Sequence, residues 1–205
     1  MKIIALFVLF FSPLAFSYHV IGNGGFAVVC NQLDQKKYYI LEEYEAEFNK
    51  KIAPLPENNK NASTTIHWAK SLTIAGQVAE YIKRVDTKIQ DKLNTYYNNM
   101  NIEFVDSLDI DNFNDTNITL AHPSCTLNLV AYQIQKSFAY RPHVFIDRWV
   151  WEKLTLNQQG LLIFHEVVYG HMVIDVRNRS IDFNPADVRE FIINQVLLKS
   201  ETAPL

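Results

Sequence analysis

Apolar side chains recur every three or four positions from Ala75 to Tyr96, through Val78, Ile82, Val85, Ile89 and Leu93, the longest such stripe in the chain. That spacing puts them on one face and predicts one long amphipathic helix over about 70–100. The repeat lasts barely three heptads, so a face packed on a core is favoured over a coiled-coil seam. Shorter apolar, β-branched runs at 26–30 and 38–41 predict two strands, with the polar stretch 31–37 turning one onto the other. At Leu41 the pattern changes to helical spacing through Tyr44, Glu45 and Phe48. Two further strands are predicted at 127–134 and 143–146, with a turn near Arg141 and Pro142.

The last third is helical in pattern. Thr155 and Gln158 have the spacing of a capping box, opening a helix towards Tyr169 that Gly170 is placed to end. Asn184 is placed to cap a second helix, with Pro185 at its first position and Asp187 near its positive end. Val188, Phe191, Ile192 and Val196 would form its buried face. Between these elements, 53–64 carries Pro54, Pro56 and asparagines, and reads as an exposed loop. The Asp- and Asn-rich stretch 106–117 lacks the glycine and closing glutamate of a calcium loop and reads as a solvated loop. The glycines Gly22, Gly24 and Gly25 lack the strand–helix context of a dinucleotide loop. The fold class expected is α+β: a small antiparallel sheet packed with four or five helices.

The N-terminus changes the picture. Lys2 is followed by an unbroken apolar run from Ile3 to Phe11, and the small residues Ala15 and Ser17 come shortly after. This predicts a secretory signal peptide over 1–17, cut after Ser17. Pro13 interrupts a run already shorter than the roughly 20 residues a membrane span needs. No later segment is long and apolar enough to span, so no stable membrane insertion is expected after cleavage. The remainder, 18–205, has a length suited to one α+β domain.

Composition narrows the partners. The net charge of −3 leaves no basic stripe to neutralise phosphates, so nucleic acid is not expected. Anionic lipid is not indicated either. The two cysteines, Cys30 and Cys125, are expected to pair in an oxidising compartment, with two buried thiols as the alternative. Neither has a CxxC partner, which argues against redox catalysis.

One constellation could carry chemistry. His165-Glu166 on a helix is how the zinc-peptidase motif HExxH begins; there two histidines one turn apart hold the metal and the glutamate deprotonates its water. Here the position one turn on is Tyr169, so the motif is broken at its second ligand. His171 would lie about 240° round and 9 Å along a continuous helix from His165, too far to share one ion. It could fold back only if Gly170 breaks the helix. Asp175, His143 and His122 are other conceivable ligands that spacing does not place nearby.

The competing reading makes His165 a core histidine on the face of Leu161, Leu162, Val168 and Tyr169, with Glu166 paired to a cation such as Arg189. Other templates are absent or uninformative. There is no GxSxG elbow, paired carboxylates have no sequence spacing of their own, and the sequons at Asn61, Asn114, Asn117 and Asn178 matter only in a eukaryotic host.

Several segments in a consistent order carry a resemblance. They are Gly22-Asn23-Gly24-Gly25 with Val28-Val29-Cys30, Leu41-Glu42-Glu43-Tyr44-Glu45-Ala46, and Cys125 with Ala131-Tyr132-Gln133. Trp151-Glu152-Lys153-Leu154, the stretch from Leu162 to Tyr169, and Val188-Arg189-Glu190-Phe191 follow. With these the chain resembles a family of short exported proteins of predatory delta-proteobacteria. The region around 70–100 is the part the resemblance covers least. It implies export into the cell envelope, supplies no reaction, and implies that His171 is peculiar to this sequence.

The resulting expectation is an exported, secreted or periplasmic protein with a non-catalytic binding or structural role, no cofactor, and an envelope or extracellular partner. The alternative is a divergent zinc-dependent hydrolase with His165 and His171 as metal ligands and Glu166 as catalytic base. A carboxylate-based hydrolase of wall polymers is a third reading. The zinc reading needs further ligands converging near His165 and an open cleft over Glu166. The core reading predicts both residues enclosed between helices.

Overall fold

The stripe from Ala75 to Tyr96 folds as two helices rather than one, α2 (Ile74–Arg84) and α3 (Thr87–Asn99). Val85 between them is extended, and Asp86 caps α3 by accepting from the Lys88 N–H at 2.9 Å. Gln90 Nε2 donates to the Val85 carbonyl that the break leaves open, at 3.0 Å. The stripe survives the break because Val85, Leu93 and Tyr96 still face one core. The computed structural model describes residues 18–20, 25–32, 35–48, 66, 68–108, 118–136, 141–179 and 185–198. The signal segment, the loop at 53–64, Asn184, and most of 106–117 lie outside them.

The strands are β1 (Tyr18–Val20), β2 (Phe26–Gln32), β3 (Gln35–Ile40), β4 (Asn101–Val105), β5 (Cys125–Leu129), β6 (Ala131–Lys136) and β7 (His143–Asp147). The remaining helices are α1 (Leu41–Phe48), α4 (Arg148–Trp151), α5 (Leu156–Arg179) and α6 (Pro185–Ile192), the last continued by a π-helical turn over Ile193–Leu197. This is an α+β fold, with two sheets rather than one. A three-stranded antiparallel sheet runs β3-β2-β5; a four-stranded sheet runs β1-β6-β7-β4 and is antiparallel except for the parallel pair β4–β7.

The two sheets meet where β5 passes through Val130 into β6. Cys30 faces Cys125 and Phe26 faces Leu129 in the first sheet, while Val20 faces Ile134 in the second. At the bend the Gly25 carbonyl accepts from both Val130 and Ala131, at 2.9 and 3.1 Å. The expected strand 127–134 is therefore split, because Val130 is where the chain leaves one sheet for the other. Cys30 and Cys125 form the expected disulfide across β2 and β5, closing a separation of 95 residues.

Helix α5 runs through the middle. Every residue from Leu161 to Gly170 is buried, and α2, α3, α6 and β6 pack around it. A helix enclosed on all sides has no solvent face to read as a stripe. The capping box forms as expected: Thr155 N donates to Gln158 Oε1 at 2.9 Å, and Gln158 N to Thr155 Oγ1 at 3.3 Å. Gly170 does not end the helix, which continues to Arg179. Its missing side chain instead admits Tyr96, whose hydroxyl oxygen lies 1.8 Å from where a Cβ would stand.

Candidate functional site

His165 and Glu166 both project from α5 into the interior, His165 4% and Glu166 0% exposed. Glu166 sits at the bend between the sheets. Its Oε1 accepts from the Gly25 N–H at 2.6 Å, and its Oε2 from Gln133 Nε2 at 2.7 Å. Gln133 Nε2 also donates to the Glu166 main-chain carbonyl, and Gln133 Oε1 accepts from the Tyr96 hydroxyl at 2.7 Å. The chain Tyr96–Gln133–Glu166–Gly25 thus joins α3, β6, α5 and the start of β2. Its bonds supply partners for polar groups that would be expensive to bury alone. Burial pushes the Glu166 carboxyl up, against the opposing pull of His165 and of the hydrogen bonds from Gln133 and Gly25.

His165 faces another way. Its Nδ1 is hydrogen-bonded to Glu42 Oε1 on α1, and its ring lies nearly parallel to that of Tyr169, centroids 6.0 Å apart. Burial acts to lower the imidazole's pKa, but the adjacent Glu42 charge and hydrogen bond outweigh it and raise it. For Glu42, 1% exposed, burial acts upward, and His165 more than reverses it, leaving the carboxyl below its ordinary value. His165 Nε2 and Glu42 Oε2 have no hydrogen-bond partner among the described residues.

Arg189, expected to meet Glu166, is on α6 and places Nε 3.2 Å from Glu45 Oε2 on α1. Another acidic residue of α1, Glu43, accepts from Gln158 Nε2 at 2.7 Å and from the Ile40 N–H at 3.3 Å. Burial pushes its carboxyl up to about 7.

The expected ligands are not brought together. Because α5 continues through Gly170, His171 stays six positions along one helix from His165, on another side of it. His143 pairs with Glu103 at 2.9 Å on the four-stranded sheet, and the exposed His122 lies edge-on against Phe48 of α1. Among the described residues no group of three or more His, Cys, Asp or Glu side chains is placed to hold a metal ion. Asp175 is on α5, and its side chain is outside the description.

What the arrangement offers chemically is a buried Glu–His pair and a carboxyl with both oxygens engaged. For Glu166 to take a proton from water, its bonds to Gly25 and Gln133 would first have to give way. The histidine is the less committed group, since only Nδ1 is held.

Glu42, Gln133, Gly25 and Tyr96 escaped the pattern reading. Gln133 carried a signal, because it occupies the inward parity of β6 while Tyr132 and Ile134 point outward. Glu42 did not, because α1 buries residues around most of its circumference. No family model, curated protein or solved structure matches the chain.

Proposed function

We propose that this chain is an exported envelope or secreted protein with a non-catalytic role, binding or structural, in which His165 and Glu166 serve the fold. The observation that carries the reading is the enclosure of Glu166, fully buried with each carboxyl oxygen bonded, to Gly25 and to Gln133. A general base that activates metal-bound water needs an oxygen facing that water. Here both face the protein's own donors. The Cys30–Cys125 bridge fits an oxidising compartment, and no helix among the described residues is long and apolar enough to cross a membrane. The resemblance to exported proteins supports the same compartment.

The test is to express the full chain in a Gram-negative host. The mature N-terminus is determined by mass spectrometry, and zinc is measured in the oxidised protein beside His165→Ala. The reading expects an N-terminus at Tyr18, recovery outside the cytoplasm, and no stoichiometric zinc. Zinc bound one-to-one in the parent and lost from a folded His165→Ala would overturn the non-catalytic reading. An uncut chain held in the cytoplasm would overturn export.

A further inference from the structure

Helix α1 is seated on its neighbours by three carboxylates, each directed at a different partner. Glu42 meets His165 on α5, Glu43 meets Gln158 on α5 and the Ile40 N–H at the end of β3, and Glu45 meets Arg189 on α6. The opposite side of α1 is aromatic. Tyr44 and Phe48 pack on each other and on Tyr39, in the core that contains the disulfide. One side is held by carboxylate contacts, the other by packed rings.

The groups facing each carboxylate fix the balance. His165 is faced by Glu42 from α1, by Glu166 from its own helix, and by the charge of Arg189 from α6. Glu43 is faced by Gln158, with the charges of Lys37 on β3 and Glu47 on α1 further off. With His165 protonated and Glu43 neutral, Glu42 and Glu45 each face a cation, His165 and Arg189. Ionising Glu43 and neutralising His165 shifts this seat by two charges in the negative direction, in a place where water does not screen them. Glu42 Oε2 and His165 Nε2, both buried without a partner among the described residues, already mark it as the least satisfied contact of α1.

We propose that α1 is a pH-sensitive clasp, seated on α5 and α6 in mildly acidic solution and lifting from α5, about its aromatic side, as the solution becomes alkaline. Lifting uncovers His165 while α2, α3 and the rest of α5 stay folded.

Hydrogen exchange followed by mass spectrometry on the full-length oxidised protein tests this, from pH 5 to pH 9 and corrected for intrinsic rates. Protection of 41–48 should fall at least tenfold across that range while that of 74–99 stays constant. Glu43→Gln keeps an acceptor for Gln158 and should remove the part of the change below about pH 7. His165→Gln should remove the part above it. Unchanged protection of 41–48 in the parent would overturn the clasp, and so would a fall shared equally by 74–99, which would mean global loosening. The parent's two segments decide the matter even if a variant fails to fold.

Discussion

The Gly25 N–H donates to Glu166 Oε1 at 2.6 Å, across 141 residues of sequence, at the point where two sheets part company. Gly25 accepts two N–H groups through its carbonyl and gives its own N–H to α5, so the bend between the sheets is fixed by a helix side chain. The acidic residue that resembles a catalytic base thereby accepts from the backbone just ahead of β2. Removing it should be felt in stability. Glu166→Ala leaves the Gly25 N–H and one Gln133 donor buried without acceptors, and a loss of about 3–5 kcal/mol is expected. Glu166→Gln keeps one acceptor and should lose about half as much. Urea unfolding of both variants checks this, and an Ala variant as stable as the parent would contradict it.

Acid should weaken the Glu42–His165 contact. The Glu42 carboxyl lies below its ordinary value in the folded protein, so its contribution is present above about pH 4.5 and is lost as pH falls through the folded value. His165 lies above its ordinary value, so its contribution is full below about pH 6.5 and is lost as pH rises through the folded value. Glu42→Gln should therefore lower stability near pH 6 and flatten the acid limb below about pH 4.5. Urea midpoints at half-unit intervals would reveal an unchanged acid limb, the outcome that sinks the assignment.

The disulfide should carry a large share of the stability. Closing a separation of 95 residues is worth about 4–5 kcal/mol on the chain-entropy model. Cys30→Ala with Cys125→Ala should lose about that much, with the largest loss of hydrogen-exchange protection in β2, β3 and β5. Both sulfurs are enclosed beside Phe26, Val28 and Tyr44, so cavity formation adds to the effect. A double variant within 1 kcal/mol of the parent would show that the denatured chain is not loosened by losing the bridge.

Legibility followed locality. The capping box at Thr155 and Gln158, the helix opening at Pro185 and the strand pair β2–β3 depend on neighbours in sequence, and each was readable from them. The disulfide was readable because two cysteines allow one pairing. The break at Val85–Asp86 was hidden by an apolar stripe that both helices share, although Asp86 is an acceptable N-cap. Strand β4 was missed because its partner β7 lies about 40 residues away, and its exposed positions show no alternation. In the candidate site, His165 was recognised as buried from its helical face, but Glu42 and Gln133 came from elements that spacing does not connect to α5. Gly170 misled for a related reason: a glycine near a helix end and a glycine cleared for a distant side chain look alike in sequence.

That last distinction can be tested directly. At Gly170 a Cβ would stand 1.8 Å from the Tyr96 hydroxyl oxygen and 2.8 Å from Gln133 Oε1. In an ordinary helix interior, alanine is favoured over glycine by about 1 kcal/mol. Gly170→Ala should nonetheless destabilise, by about 1–3 kcal/mol, because Tyr96 must move and its bond to Gln133 is lost. In a Tyr96→Ala background the nearer obstruction is gone and only Gln133 Oε1, at 2.8 Å, must still give way, so the same substitution should cost much less. The double-mutant cycle then has a coupling of about 2 kcal/mol or more. A helix-terminating glycine would behave otherwise: its replacement would cost the same whether or not the ring of Tyr96 were present. Equal penalties in the two backgrounds would therefore return Gly170 to the role its position in the sequence first implied.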